Sequence, residues 1–334
     1  MDAEPVWKPE FIDLNELEGA FDFEEGFSRP NWPLISKTVR ERTARDDWDR
    51  AFTEAARQWV MQIQSDLGGE YAVSESRRFL LLSELETDSR RGILAHAEQT
   101  RDSIRECLGD AAWSPNCGKH VIILFSEEDD YYQYLSYFHK DGIHPASGGC
   151  LIRKRYVHIA APYQPRGCRT MLAHELAHNL VVHLPLPLWL NEGLAVTFQR
   201  GNGARGQPLL ADPDLQPRHI DYWNEKTIQE FWAGVSFHKP GDSNELSYSL
   251  AEILLTLLLE KRWDFPAFLK QANWRDAGQT AAMNFLGVDL GAVAGTFLGK
   301  GDWRPRRKAM VELWEAAKQP PKEEESGDSE APKT

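Results

Sequence analysis

The sequence predicts an α+β protein: a small mixed β-sheet with helices packed on it, followed by a mainly helical C-terminal part. Short apolar or β-branched runs occur at 79–82, 120–125 and 150–160 and indicate strands. After Pro165 the apolar residues recur instead at helical spacing. Hydrophobic residues make up 42% of the 334 residues and charged residues 27%, which is a globular composition with enough apolar surface for a substantial core.

The charge balance argues against nucleic acid as the main partner. The chain has 38 Lys and Arg against 51 Asp and Glu, a formal net charge of −13, whereas phosphate binding needs a basic face. The excess of acidic residues lies mostly at the two ends of the chain. Residues 1–30 hold nine acids and two bases, and residues 318–334 hold five acids and three bases. We interpret both as solvated segments.

The sequence favours a cytoplasmic protein with no membrane partner. The first residues, MDAEPVWKPEF, lack a basic start followed by an apolar run, and no stretch approaches eighteen consecutive apolar residues. The four cysteines form no CxxC pair. We therefore expect free thiols at Cys107, Cys117, Cys150 and Cys168.

Residues 1–74 are predicted to form an N-terminal acidic arm and a helical extension. Residues 1–36 show no clear period and predict an irregular arm. From 37 to 67 an apolar stripe at steps of three or four predicts a helix that ends at Gly68 and Gly69. This stripe could pack within the protein or offer a surface to a protein partner.

Residues 75–317 are predicted to form one domain, with a sheet half at 75–165 and a helical half at 166–317. In the sheet half a helix at 89–108 separates the first two strands. Ser126 is predicted to cap a further helix whose first turn is acidic, and residues 150–160 alternate as a strand or hairpin. In the second half we expect helices near 168–183, 191–199, 226–233, 245–261, 265–272 and 289–298. We predict a surface loop at 201–224 and a disordered acidic tail at 318–334.

The segment at 171–195, MLAHELAHNLVVHLPLPLWLNEGLA, carries the candidate chemistry. It contains the HExxH motif of His174, Glu175 and His178. On a helix, positions i and i+4 share one face, so both imidazoles can reach one zinc ion. Glu175 is rotated away from that face and can take a proton from the water bound to the metal.

A third metal ligand is expected on the helix that follows. Pro185 and Pro187 cannot continue the first helix, so the chain can turn back and present Glu192 to the two histidines. Two imidazoles and one carboxylate leave a fourth position for water, as in catalytic rather than structural zinc sites. The cofactor prediction is one Zn²⁺ per chain.

HELAH, followed after thirteen residues by the Glu of LNEGLA, resembles the gluzincin metallopeptidases and most closely the bacterial peptidase MA-like proteins. The resemblance covers about residues 75–315. It implies that His174, His178 and Glu192 are ligands, that Glu175 is the general base, and that a small sheet precedes the HExxH helix. The spacer is shorter than in the aminopeptidase branch, and no GAMEN-type exopeptidase motif is present.

Several further residues are candidates with structural alternatives. Tyr248 is the first choice for holding the oxyanion, ahead of His238 and His219; otherwise its ring packs in the fold. Asn191 could orient a ligand, or it could cap the second helix. The spacing of His183 from His178 places it off the ligand face, so it is expected to be an ordinary helix-end residue.

A substrate strand is predicted before the metal helix. Gly148, Gly149 and Cys150 begin a stretch that could bind the substrate backbone as an edge strand; an ordinary sheet strand is the alternative. The basic run 153–155 could meet acidic substrate groups or could be a solvated charge run.

The function expected from these features is zinc-dependent peptide-bond hydrolysis on a peptide or protein substrate, as an endopeptidase rather than an exopeptidase. Glu175 would act as the base. Two alternatives remain open: a non-catalytic zinc-binding or protein-interaction module, and a zinc hydrolase that acts on a non-peptide amide.

Overall fold

A five-stranded mixed sheet lies at the centre of the fold. The computed structural model describes residues 8–114, 116–139, 148–201, 214–259 and 264–317. The strands of this sheet are β3 (Ala72–Glu75), β4 (Phe79–Ser83), β5 (His120–Phe125), β6 (Cys150–Ile152) and β7 (His158–Pro162), and a separate hairpin is formed by β1 (Phe21–Glu24) and β2 (Phe27–Pro30). The order is β3-β4-β5-β7-β6, with β4, β5 and β7 parallel and both edge strands antiparallel. The parallel strands are buried throughout, as expected when helices cover both faces.

Thirteen α-helices surround the sheet within the described residues. They are α1 (Trp32–Arg42), α2 (Trp48–Leu67), α3 (Thr87–Leu108), α4 (Glu128–Ser136), α5 (Cys168–Val181), α6 (Leu188–Gln199), α7 (Leu215–Tyr222), α8 (Thr227–Ala233), α9 (Asp242–Leu259), α10 (Phe265–Gln271), α11 (Gln279–Ala281), α12 (Leu290–Leu298) and α13 (Arg307–Ala317). The architecture is therefore mixed α+β, as predicted. Strands 79–82 and 120–125 are confirmed, and 150–160 forms the β6–β7 hairpin.

Two apolar cores lie on opposite faces of the sheet, because side chains alternate along each strand. Leu81 of β4 and Ile122 of β5 face one core with α3, α5, α6 and the helices that follow. Leu80 and Val121 face the other core with α1, α2 and α4. The sheet is thus the middle of three layers, and the N-terminal extension forms one outer layer.

The N-terminal segment packs on α2 and not on α5, the helix that carries the HExxH motif. The buried carboxylate of Glu54 accepts hydrogen bonds from the backbone N–H groups of Glu10, Phe11 and Ile12, at 2.6 to 2.9 Å. The side chain of Gln58 bonds Leu14 in the same way. The described part of the acidic arm therefore packs on the sheet face opposite α5.

Some predicted elements are wrong. The segment 1–36, expected to be irregular, contains the β1–β2 hairpin and the start of α1. Ser126 does not cap α4; the cap position is Glu127. Within the predicted loop 201–224, residues 215–222 form α7, and Pro217 is tolerated there because the first turn needs no N–H donor from it. Residues 202–213 and the predicted tail 318–334 lie outside the described residues.

The helices of the described residues were compared with the length and apolar content that a membrane span requires. Among the described residues, no single helix is both long and apolar enough to cross a bilayer. One pair, Gln279–Leu286 with Leu290–Leu298, reaches the required length and apolar content only when both are counted across a 93° bend.

Candidate metal centre

Helix α5 presents His174 and His178 on one face. It begins after Gly167, whose φ of 112° suits a residue without a Cβ, and it packs between the sheet and α6. Leu172, Leu176 and other apolar residues of α5 are buried in the core. The two imidazoles lie one turn apart, and their Nε2 atoms are 3.1 Å from each other.

A tight reversal then returns the chain to these histidines. Helix α5 ends at Val181, and α6 begins at Leu188 after Pro187, which occupies its N-cap position. The predicted stop before Pro185 is confirmed. Within α6, Trp189 is fully buried and its indole N–H donates to the backbone of Ala277. This anchor fixes α6 against the helical half and sets the position of Glu192.

A glycine permits the close packing that holds Glu192 in place. Gly193 lies against α9, where a Cβ at this position would be 2.8 Å from the carbonyl oxygen of Ala251. Only a residue without a side chain fits this approach, because both contacting groups are helix backbone. The glycine after the ligand in the NEG motif is therefore explained by helix packing.

The three predicted ligands converge. Oε2 of Glu192 lies 3.6 Å from Nε2 of His174 and 3.5 Å from Nε2 of His178, which closes a triangle with the 3.1 Å histidine pair. A tetrahedral ion with bonds of about 2.0–2.2 Å holds its ligand atoms about 3.3–3.6 Å apart. These three residues, called the metal triangle below, could therefore hold a metal ion without rearrangement of the backbone.

The electrostatics of this cluster favour a cation. Burial raises the pKa of Glu192, but hydrogen bonds and charge from His174 and His178 outweigh it and lower the pKa to about 2. Burial lowers the pKa of His178, yet hydrogen bonding and charge from Glu192, with the charge of Glu175, raise it overall. The side chains of the triangle are only 8–15% exposed, so little water screens these charges.

Gln199 is a site residue that the sequence analysis missed. Its side-chain oxygen lies 2.9 Å from Nδ1 of His174. Because an amide oxygen only accepts, Nδ1 carries the proton and Nε2 keeps its lone pair facing the triangle. Gln199 lies seven residues after Glu192, two helical turns along the same face of α6, and this spacing was the signal available in the sequence.

Glu175 and Tyr248 both lie near the metal triangle. Glu175 is 4% exposed, and its charge contributes to the raised pKa of His178. Tyr248 is half-buried on α9, with its ring against Phe237 at 5.2 Å. Its pKa is raised by burial and then by the charges of Glu192 and Glu175, so its hydroxyl stays protonated beside both carboxylates.

Asn191 is not the helix cap. It is the fourth residue of α6, so the cap interpretation is wrong. Its side chain lies near His178 and makes a small contribution to raising the pKa of that histidine. This contact falls short of a full hydrogen bond, because Nδ1 of His178 is buried without a partner in the described part of the chain.

The predicted substrate strand lies beside α5. β6 is an edge strand, with Cys150 opposite Ala160 of β7. A Cβ on Gly149 would be 2.5 Å from the Met171 sulfur, so the strand approaches α5 one turn before His174. Burial, and then the charge of Glu175, raise the pKa of the Cys150 thiol to about 12. Gly148 is exposed, with open space around it.

The remaining histidine candidates have structural roles or no role at the triangle. His219 is fully buried. Its Nδ1 accepts a hydrogen bond from the indole N–H of Trp223, and its Nε2 lies 3.1 Å from the Ser249 hydroxyl. His238 is exposed in a 3₁₀ turn. The His183 ring packs against Trp113, with centroids 4.4 Å apart and the planes tilted by 41°, as expected of a residue at the helix end.

The description of this site rests on its geometry, because no similarity to known proteins assigns a role to its residues. The gluzincin resemblance rests on the HELAH and LNEGLA segments alone. No protein-family model matches the chain, and no curated protein shows significant similarity to it.

Proposed function

We propose that the protein is a zinc-dependent peptide-bond hydrolase of gluzincin type. The observation that supports this most directly is the triangle of His174, His178 and Glu192, with the buried Glu175 next to it. A purely structural metal site takes four protein ligands, whereas the described residues supply three here. A three-ligand site leaves a position for water.

Zinc is the metal that suits this donor set best. Two imidazole nitrogens and one carboxylate oxygen at tetrahedral spacing match a catalytic zinc site, whereas calcium and magnesium prefer oxygen ligands in larger number. When bound, zinc lowers the pKa of a water ligand to about 7 and polarises a carbonyl group.

Glu175 is assigned the proton transfers. It follows His174 directly on α5, so its carboxylate lies beside the ligand face and not on it. As water attacks the scissile carbonyl carbon, the carboxylate takes a proton from that water. It then gives the proton to the leaving amine as the C–N bond breaks, and this returns Glu175 to its starting state.

Tyr248 is assigned the stabilisation of the oxyanion. Its hydroxyl stays protonated near both site carboxylates, so it can donate a hydrogen bond to negative charge that develops on the carbonyl oxygen. The ring packing against Phe237 restricts this side chain, which favours a donor that is oriented in advance.

The edge strand β6 supports an extended peptide as substrate. Within the described residues β6 pairs with β7 alone, so its other edge has no strand partner there, and its three residues are buried. We assign that edge to the backbone of the substrate peptide. Strand addition binds the middle of a chain as well as its end. We therefore favour an endopeptidase.

Two measurements test this function. Metal analysis of the purified protein is expected to give about one zinc per chain, as for a single three-ligand site. A peptide library should be cleaved by the zinc-loaded protein, and a chelator should abolish this cleavage. Glu175→Gln should retain zinc and lose turnover, whereas Glu106→Gln, an exposed control on α3, should keep both.

Three results would contradict the proposal in different ways. Full zinc occupancy with no cleavage of any peptide would favour a non-catalytic binder or a hydrolase for other amides. Full activity of Glu175→Gln would refute the base assignment. An unchanged zinc content in His178→Ala would refute the ligand assignment.

A further inference from the structure

A cavity lies in the N-terminal layer, on the sheet face opposite the metal triangle. Its volume is about 270 Å³, just below the roughly 300 Å³ at which small-molecule sites begin. One wall is formed by Trp32 of α1 and Tyr156, whose rings stack at 4.6 Å. Phe52 of α2 contributes further apolar surface, and Arg40 and Arg155 lie at the exposed side.

The charge of this cavity is opposite to that of the protein. Its described lining residues include no Asp or Glu, although the chain as a whole carries −13. Neither Arg40 nor Arg155 has a carboxylate partner among the residues that the structure describes. The guanidinium of Arg40 packs over the Trp48 ring at 5.1 Å. Beside the apolar wall, both guanidinium groups can still offer planar donors to a carboxylate or phosphate.

A second, narrower cavity shares the wall formed by Trp32, Arg155 and Tyr156. Its volume is about 20 Å³, and it is lined by Arg29, which is only 3% exposed. The Nε and Nη2 atoms of Arg29 donate to the carbonyl groups of Glu24 and Tyr134, but Nη1 has no partner in the described structure. The Arg29 guanidinium also lies over the rings of Tyr134 and Tyr137, at 4.6 Å from each centroid, so aromatic faces stabilise its charge and only Nη1 is left for a polar group.

The backbone of Arg155 adds an independent observation. Its φ is 64°, in the left-handed region that favours glycine, within the turn between β6 and β7. Glycine at this position would relieve the strain, so the arginine side chain is retained at a cost in backbone energy. That side chain lines both cavities.

We propose that the larger cavity is a binding site for a small organic anion, whereas the narrower one has room for about one water molecule. An apolar, planar body would lie along the Trp32 and Tyr156 wall, and a carboxylate or phosphate head group would bind Arg155 and Arg40. The proposal does not rest on the metal triangle, which lies on the other face of the sheet.

Binding of simple anions to the full chain tests the site. Benzoate and phenyl phosphate, at up to about 10 mM, should raise the thermal midpoint in a concentration-dependent way, because a ligand that binds only the folded state stabilises it. Uncharged benzamide should not. The two anions distinguish a carboxylate preference from a phosphate preference. Equal stabilisation by benzamide, or no stabilisation by either anion, would overturn the proposal.

Arginine variants locate the binding. Arg155→Gln and Arg40→Gln should each weaken anion affinity at least about tenfold by calorimetry, as expected on losing a charge-assisted hydrogen bond. Arg153→Gln, in the same turn but outside both cavities, is the matched control. Arg155→Gly should lose binding and yet raise the thermal midpoint of the free protein. Unchanged affinity in Arg155→Gln would exclude this site.

Discussion

Gln199 and His174 are joined by a 2.9 Å hydrogen bond between the amide oxygen and Nδ1 of the ring. Both Gln199 and the proposed ligand Glu192 belong to α6, so one helix supplies a ligand and also orients another ligand on α5. Any shift of α6 therefore changes two parts of the site together. This arrangement couples the α5–α6 packing to metal affinity.

Gln199→Ala is expected to weaken zinc binding about 10–100-fold, because it removes the partner that fixes the His174 tautomer. Zinc affinity would be measured by competition with a chromogenic chelator. Gln199→Glu restores an acceptor at the same atom and should recover the affinity. Wild-type affinity in Gln199→Ala would show that the hydrogen bond does not position the ligand.

Gly193→Ala is expected to destabilise the protein by about 1–3 kcal/mol, as an overpacked helix contact does. The added Cβ would meet the Ala251 carbonyl at 2.8 Å, and backbone cannot rotate away as a side chain can. Glu192 is the neighbouring residue, so zinc affinity should fall as well. Urea unfolding and the same chelator competition measure the two effects.

Gly148→Ala is the matched control for this substitution. A methyl group on Gly148 would have no heavy atom of another described residue within 4 Å, so stability should change little. If both glycine variants lose the same stability, the α6–α9 approach is not the cause.

Tyr248→Phe is expected to lower kcat of the proposed peptidase about 10²–10³-fold with little change in zinc content, since it removes one oxyanion donor and keeps the ring. Steady-state kinetics on a cleaved peptide and metal analysis check the two parts. Tyr222→Phe, on α7 with its ring against Trp223 at 4.8 Å, controls for loss of a hydroxyl elsewhere. An unaltered kcat in Tyr248→Phe would remove this residue from the mechanism.

The histidine pair of the metal triangle was predictable because its determinants are local. HExxH needs only the i, i+4 geometry of one helix, and Pro185 and Pro187 mark the end of that helix in the sequence. The strands at 79–82 and 120–125 were predictable for the same reason, as continuous buried runs.

Features that depend on tertiary packing were not predictable in the same way. β1 alternates Phe and acidic residues, but it is only four residues long and three of them are exposed, so its sequence carries little strand signal. Asn is a residue type that favours the N-cap, so Asn191 resembled a helix cap. Helix α6 nevertheless begins three residues earlier, at Leu188, because Trp189 is buried there. For Gln199 the sequence offers only its spacing from Glu192, and its role becomes clear once His174 lies opposite it.

His158 makes the N-terminal layer sensitive to acid. Its Nδ1 lies 2.8 Å from the carbonyl oxygen of Tyr156 and must carry the proton, so Nε2 accepts from the Tyr134 hydroxyl at 2.7 Å. A second proton, on Nε2, would require the Tyr134 hydroxyl to change from hydrogen-bond donor to acceptor in a buried site. Burial, with the nearby charge of Arg29, lowers the pKa of His158 to about 4.

Folding stability should therefore fall as the pH drops from about 6.5 towards 4, because the unfolded state binds a proton in this window and the folded state does not. The contribution of His158 is fully present above pH 6.5 and amounts to about 3 kcal/mol. Urea unfolding at several pH values gives the slope of the free energy of unfolding against pH. In His158→Gln this slope should be smaller than in the wild type by up to about 1.4 kcal/mol per pH unit. His238→Gln, which removes an exposed imidazole, should leave the slope unchanged. Identical slopes in wild type and His158→Gln would show that this ring is not the acid-sensitive group.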